Sequence, residues 1–272
     1  MLNKFQDWLF VHFDRENTIQ TYYYQMKKFF EAHSEFNQDT VFEYIKFLRQ
    51  NQRSLESINQ FIKAGKQYAK FQKITIEFPK HKTEEAKIPP YISEDTFLDI
   101  IEKIPIVTNY YLKWQSILSL GFYCALRRQE ITNLLRKDFD LEKCLVKIYN
   151  TKTKYAKIVP FPKSVGILIS NYFSTEQEKT NAFNTTKQGI NYICNQVKQY
   201  FGLEKFYPHL LRHSCIRYLF DKGVPLNKIQ VITGHKRLAT LEIYARCRNE
   251  ELNDLYTKQI KTEIDKRKKR RK

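Results

Sequence analysis

The sequence predicts a mainly α-helical protein: an N-terminal four-helix bundle, then a larger α+β domain whose β content is one small hairpin or sheet. Three observations carry this. Apolar residues recur at helical spacing through residues 1–78. The stretch FPKHKTEEAKIPP, Phe78 to Pro90, breaks that spacing with three prolines and dense charge. Beyond it, two β-rich runs flank a polar turn within otherwise helical sequence.

Taken in order, Leu2–Phe13 reads as an amphipathic helix rather than a signal peptide, because its charges are interspersed with apolar residues and no small-residue cleavage site follows. Asn17, with Gln20 three residues on, is a candidate cap for a second helix running through TYYYQMKKFFEAH. A third, DTVFEYIKFLRQ, is expected to start at Asp39, and a fourth at Ser54. Residues 79–90 are the linker. Ser93, with Glu94 and Asp95 behind it, is a helix N-cap with acids in the first turn, so the second domain spans 91–250. CLVKIYN and YAKIVPF, around the turn Thr151–Lys154, form the expected strand pair. Helices follow from Lys163 to about Phe173, from a cap at Thr185 with Gln188 to Gly202, and from Pro208 to a stop at Gly223 and Pro225. Residues 251–272 are a terminal helix, ELNDLYTKQIKTEID, and a basic tail.

Charge narrows the function classes. Lys plus Arg is 47 against 29 Asp plus Glu, for a net +18. The last seven residues, Lys266 to Lys272, are all basic, and removing them from +18 leaves +11 for the rest. That balance points to a polyanion, nucleic acid ahead of an acidic membrane surface. No apolar run reaches the roughly 18 residues of a membrane span. The cysteines at 124, 144, 194, 215 and 247 form no CxxC pair and sit mostly in apolar runs, which excludes a zinc framework and fits reduced, buried thiols in an intracellular protein. Neither metal nor cofactor is implied.

Four separated segments carry polar residues of one chemical theme. In GFYCALRRQEITNLL, Arg127 lies between apolar runs, where an anionic partner is needed; a salt bridge to Glu130, three residues on, and a functional role are both open. Lys152 and Lys154 sit at the tip of the hairpin turn TKTK. In YPHLLRHSCIRYLF, His209 and Arg212 share a helical face with His213 beside them, a set suited to a phosphate oxygen, although a histidine pair bonded within a core is as good a reading. In VITGHKRLATLEIYARC, Gly234 ends a helix, His235 follows, and Tyr244 comes nine residues later.

In this order the segments resemble the tyrosine recombinase (phage integrase) family. ALRRQEI resembles its GLRxSEL motif, the TKTK turn its β-hairpin lysine, HLLRHS its HxLRHT, and TGH followed by Tyr244 its LGHxxxxTTxxY. The resemblance covers residues 90–250, and the helical first domain resembles the family's core-binding (SAM-like) DNA-binding domain. It implies that Arg127 and Arg212 clamp the phosphate, Lys152 (with Lys154 the second choice) is the hairpin lysine, His209 and His235 are the paired histidines, and Tyr244 is the nucleophile, with Glu130 and His213 in support. Departures are Cys124-Ala125 for Thr-Gly, a hairpin tip without glycines, Thr233 for leucine and Ser214 for threonine. None removes a reacting group.

The chemistry suits these residue types. A phenol, with an ordinary pKa of about 10, is a weak nucleophile until cations favour its phenolate. Two guanidiniums can stabilise the charge that develops on the phosphate, and His235 can donate to a non-bridging oxygen. His209 can accept the tyrosine proton, and Lys152 can protonate the leaving 5′-oxygen. The resemblance further implies a 3′-phosphotyrosyl intermediate, strand exchange through a Holliday junction by a homotetramer on two double-stranded DNA sites, and an accessory protein as an open question. It places the protein in the cytoplasm with the nucleoid, away from membranes. The near-immediate start of the bundle leads to the expectation of no separate arm-site domain, as in Xer-type dimer resolvases and simple transposon or phage recombinases. Two rival readings are a noncatalytic regulator built on the helix-turn-helix-like segment from Pro225 to Arg246, and a type IB topoisomerase-like enzyme.

Overall fold

The computed structural model describes residues 1–79, 89–149, 156–235 and 237–244. The chain divides into two compact units, Met1–Ala86 and Lys87–Lys272. Most of the expected linker, the TKTK turn, and the expected terminal helix and basic tail lie outside the described residues.

The first unit holds four helices: α1 (Leu2–His12), α2 (Glu16–Ala32), α3 (Gln38–Gln50) and α4 (Leu55–Gln72). α2 packs on both α1 and α4, around Phe5, Leu9, Met26, Phe29, Phe61 and Tyr68. Aromatic pairs fill this core, Phe29 stacking on Phe61 with 5.7 Å between ring centroids and Phe5 meeting Tyr68 edge-on at 4.9 Å. Ser54 caps α4 as expected, accepting from the Ser57 N–H. Two starts differ from expectation. α2 begins at Glu16 after Arg15, so Asn17 lies inside the helix and caps nothing. α3 begins one residue early, at Gln38, because Asn37 and Thr40 form a reciprocal capping box, which ties up two otherwise orphaned N–H groups.

The second unit is built on α5 (Glu94–Val107), α6 (Tyr111–Tyr123), α7 (Arg128–Asn133), a short 3-10 turn (Arg136–Asp138), β1 (Phe139–Asp140), β2 (Leu145–Tyr149), β3 (Ala156–Pro160), α8 (Lys163–Thr175), α9 (Lys187–Tyr200), α10 (Pro208–Asp221) and α11 (Leu226–Thr233). Residues 239–244 are again helical. α6 is apolar on nearly every side and is therefore the central helix, packed against α5, α8 and α10. Gly121 permits the α10 contact: a Cβ there would lie 3.1 Å from the Leu211 side chain. The cap at Ser93 and the helix start at Pro208 stand as expected, while α9 is capped by Thr186, one residue beyond the expected Thr185.

The sheet has three antiparallel strands, β1-β2-β3, where a single strand pair was expected. β1 is only two residues long, too short to show alternation in sequence. The register sets Val146 opposite Val159 and Ile148 opposite Lys157. Val146, Ile148 and Val159 are buried, so this face of the hairpin turns toward the core and takes Lys157 with it.

Candidate active site

Arg212 is the centre of the site. It projects from α10 and is only 3% exposed, so its charge needs acceptors. Two carbonyls supply them: Nη1 donates to Ala125 O at 2.5 Å, and Nη2 donates to Thr233 O at 2.6 Å. The first comes from the turn between α6 and α7, where Ala125 has φ +51°, the left-handed region that glycine adopts more easily. The second comes from the C-terminus of α11, the negative end of a helix. Burial, and then the charge of Arg127, lower the Arg212 pKa to about 10, which still leaves it a cation at neutral pH.

Arg127 stands at the start of α7. Its Nη1 donates to Glu130 Oε1 at 3.0 Å and its backbone N–H donates to Glu130 Oε2 at 2.8 Å. Of the two readings open in sequence, the ion pair to Glu130 is therefore present, and it orients the arginine beside Arg212. Burial alone would raise the Glu130 pKa. Lys157, the Arg127 N–H and the two guanidiniums outweigh it and hold the carboxyl below its ordinary value.

His235 follows Gly234, whose left-handed φ of +68° ends α11. Its Nε2 lies 3.4 Å from Arg212 Nη2, and its Nδ1 lies 2.6 Å from Thr233 Oγ1. Because the Thr233 hydroxyl donates to Ile229 O, it accepts from Nδ1–H, which leaves Nε2 as the acceptor facing Arg212. Burial and then the charges of Arg212 and Arg127 lower the His235 pKa to about 4, so the free site holds a neutral ring. Thr233, a departure from the family's leucine, is thus the residue that sets the His235 tautomer.

Tyr244 is 3% exposed and packs with Ile216, Ile229 and Leu241. Its hydroxyl lies 2.5 Å from His213 Nδ1. His209 sits one turn earlier on α10, its ring centroid 6.3 Å from that of His213. Partial burial, then neighbouring positive groups, lower the pKa of both rings, so the imidazole facing the phenol is neutral and able to accept its proton. This contact belongs to His213, which sequence reading ranked as supporting, and not to His209. Ser214, another departure, joins the start of the unit to α10: it accepts from Ile92 N–H and donates to Leu210 O, both at 2.9 Å.

Arg127, Glu130, Arg212, His235, His213, Tyr244 and His209 thus converge. Lys152 and Lys154 lie outside the described residues. Sequence reading missed Lys157, whose Nζ lies 3.4 Å from Glu130 Oε2 and 3.3 Å from Ile232 O. A signal was available: in AKIVP, alternation puts Lys157 on the face of Val159, and an inward-facing ammonium requires an anion. Among the described residues no cluster of His, Cys, Asp and Glu could hold a metal ion, and no helix is long and apolar enough to cross a membrane.

Buried cations around a phenol paired with a neutral imidazole suit the transfer of a phosphodiester between two alcohols. Residues 91–251 match the profile of the phage integrase family, and the chain belongs to that family. Similar proteins include tyrosine recombinase XerA of Pyrococcus horikoshii, 28% identical over 267 residues, covering 95% of this chain and 93% of that one. Tyrosine recombinase XerD of Staphylococcus epidermidis is 26% identical over 218 residues, 75% and 72% of the two chains. Among solved structures, XerA recombinase shares the fold with a TM-score of 0.54 at 22% identity, covering 95% of this chain and 97% of that one. XerH site-specific recombinase bound to difH substrate does so at 0.68 and 18% identity, covering 88% and 79%.

Proposed function

We propose that this protein is a site-specific DNA recombinase that cuts one strand of duplex DNA with Tyr244 and passes the 3′-phosphate to a partner strand. The observation that carries the reading is the Tyr244–His213 hydrogen bond beside the Arg127–Arg212 pair, a nucleophile with its proton acceptor next to two phosphate-binding cations. In the first step Tyr244 Oη bonds to phosphorus as the bond to the 5′-oxygen breaks. The phenolic proton passes to His213, and Lys152 gives its proton to the leaving oxygen. Arg127 and Arg212 meet the non-bridging oxygens. As negative charge gathers there, His235 Nε2 takes a proton from solvent water and then donates to the same phosphate. Rejoining reverses each transfer with a different 5′-hydroxyl, so the phosphodiester energy is kept and no nucleotide is consumed. Family membership and the Xer-named relatives support a homotetramer on two DNA sites and resolution or integration as the outcome.

The test is to incubate wild type and Tyr244→Phe with DNA from around the protein's own gene, quench in denaturant, and sequence the DNA that remains attached. Attachment by wild type alone is the expected result, and it reveals the site as well. Attachment by both proteins would mean that a different tyrosine attacks, and attachment by neither would favour a noncatalytic DNA-binding role.

A further inference from the structure

Building on that reading, we propose that Lys157 is a positioning residue for strand cleavage: its ammonium offsets Glu130, so that both arginine charges remain available to the phosphate, and it fastens the hairpin to the end of α11. Glu130 orients Arg127 through two hydrogen bonds, yet it also sets a carboxylate beside a site that must bind an anion. Arg127, Arg212 and Lys157 against Glu130 leave a net of two positive charges. That matches the second negative charge which a phosphodiester gains as the attacking oxygen bonds to it. Without Lys157, Glu130 would cancel half of the remaining charge.

The geometry favours this role over proton donation to the leaving group. Two of the three N–H groups of the ammonium are committed, to Glu130 Oε2 and to Ile232 O. The side chain is 18% exposed. Ile232 belongs to the last turn of α11, one residue before the carbonyl that holds Arg212 and three before His235. Lys157 therefore joins three parts of the site: α7 through Glu130, the His235 turn through Ile232, and β3, whose chain leads back to Lys152. A Cβ on Gly234 would lie 3.8 Å from Lys157 Nζ and 3.9 Å from Arg127 Nη1, which places all three groups around one turn.

The test uses a duplex carrying the wild-type protein's own mapped cleavage site, made with a normal 5′-oxygen or with sulfur at that bridging position. Sulfur leaves without protonation, so it rescues the loss of a general acid and nothing else. Single-turnover rates at saturating DNA and half-saturating DNA concentrations are measured for wild type, Lys157→Met, Lys157→Arg and Lys157→Met/Glu130→Gln, with melting temperatures alongside. Lys157→Met is expected to lower the rate about 30-fold while half-saturation moves less than about 3-fold. Sulfur is expected not to restore it, arginine to keep most of it, and removal of the Glu130 charge to recover about 10-fold. If methionine lowers the melting temperature into the assay range, Lys157→Gln replaces it in both variants. A Lys157→Met protein as fast as wild type overturns the inference alone. So does rescue by sulfur, which would make Lys157 the acid, or a double variant no faster than the single. Wild type that forms no phosphotyrosine overturns the reading on which the inference rests.

Discussion

Ala125 shows how much one side chain can cost at a site of this kind. Its φ of +51° turns the chain so that its carbonyl meets Arg212, and a non-glycine residue in that region costs on the order of 1 kcal/mol. Ala125→Gly is expected to raise the melting temperature by about 2–4 °C, measured by calorimetry, since the relief of strain outweighs the added freedom of the unfolded chain. No rise would mean that the turn is not strained. The proton acceptor is a second question at this scale. His213 has a pKa below its ordinary value, so cleavage should hold level from neutrality down past about pH 6.5 and fall only at lower pH, as the ring gains its proton. His213→Gln should lose that acid limb and about 100-fold in rate; His209→Gln should keep the limb. The reverse outcome would return the role to His209. The motif arginines, the second histidine and the tyrosine were all legible as residue types in sequence. That His213, not His209, meets the phenol was not, because both lie one turn apart on α10 and only the placement of residues 239–244 decides between them.

At the scale of elements, amphipathic periodicity located all four helices of the first unit, but the point at which each begins depends on which of several neighbouring polar residues completes its hydrogen bonds. Asn17, Asn37 and Asp39 are all good capping types, and only Asn37 finds a reciprocal partner. Asn37→Ala is therefore expected to destabilise the protein by about 1 kcal/mol in denaturant titration, and Asn17→Ala by a few tenths at most. Equal losses would mean that the box contributes little. β1 escaped notice because two residues have no period. Lys157 was legible only once the strand's inward face was known, since an ammonium in a charged hairpin otherwise looks like any solvated lysine. Two of the motif departures make physical sense at this scale: Thr233 sets the ring of His235, and Ser214 binds the opening of the unit to α10.

For the whole molecule, burying three histidines among cations has a price in acid. His209, His213 and His235 all have pKa values below the ordinary histidine value, His235 at about 4. The unfolded chain therefore binds protons that the folded one refuses. The stability this contributes is fully present above about pH 6.5 and is lost as pH falls toward 4. Melting temperature should decline over that window, and His235→Gln should decline less steeply; parallel curves would show that the ring is not held neutral by the fold. The net charge of +18 marked the molecule as a binder of polyanions from its composition alone. Which surface meets the polyanion is not a property of composition, because lysines spread over a chain acquire direction only when it folds.

Every described member of the clamp, from Arg127 to Tyr244, belongs to the unit Lys87–Lys272. The proposed reacting groups are in that sense held in one piece. Among the described residues, none of these side chains comes from the helical bundle ahead of residue 87. Exchange of the residues before Lys87 would therefore leave every one of these side chains in the chain.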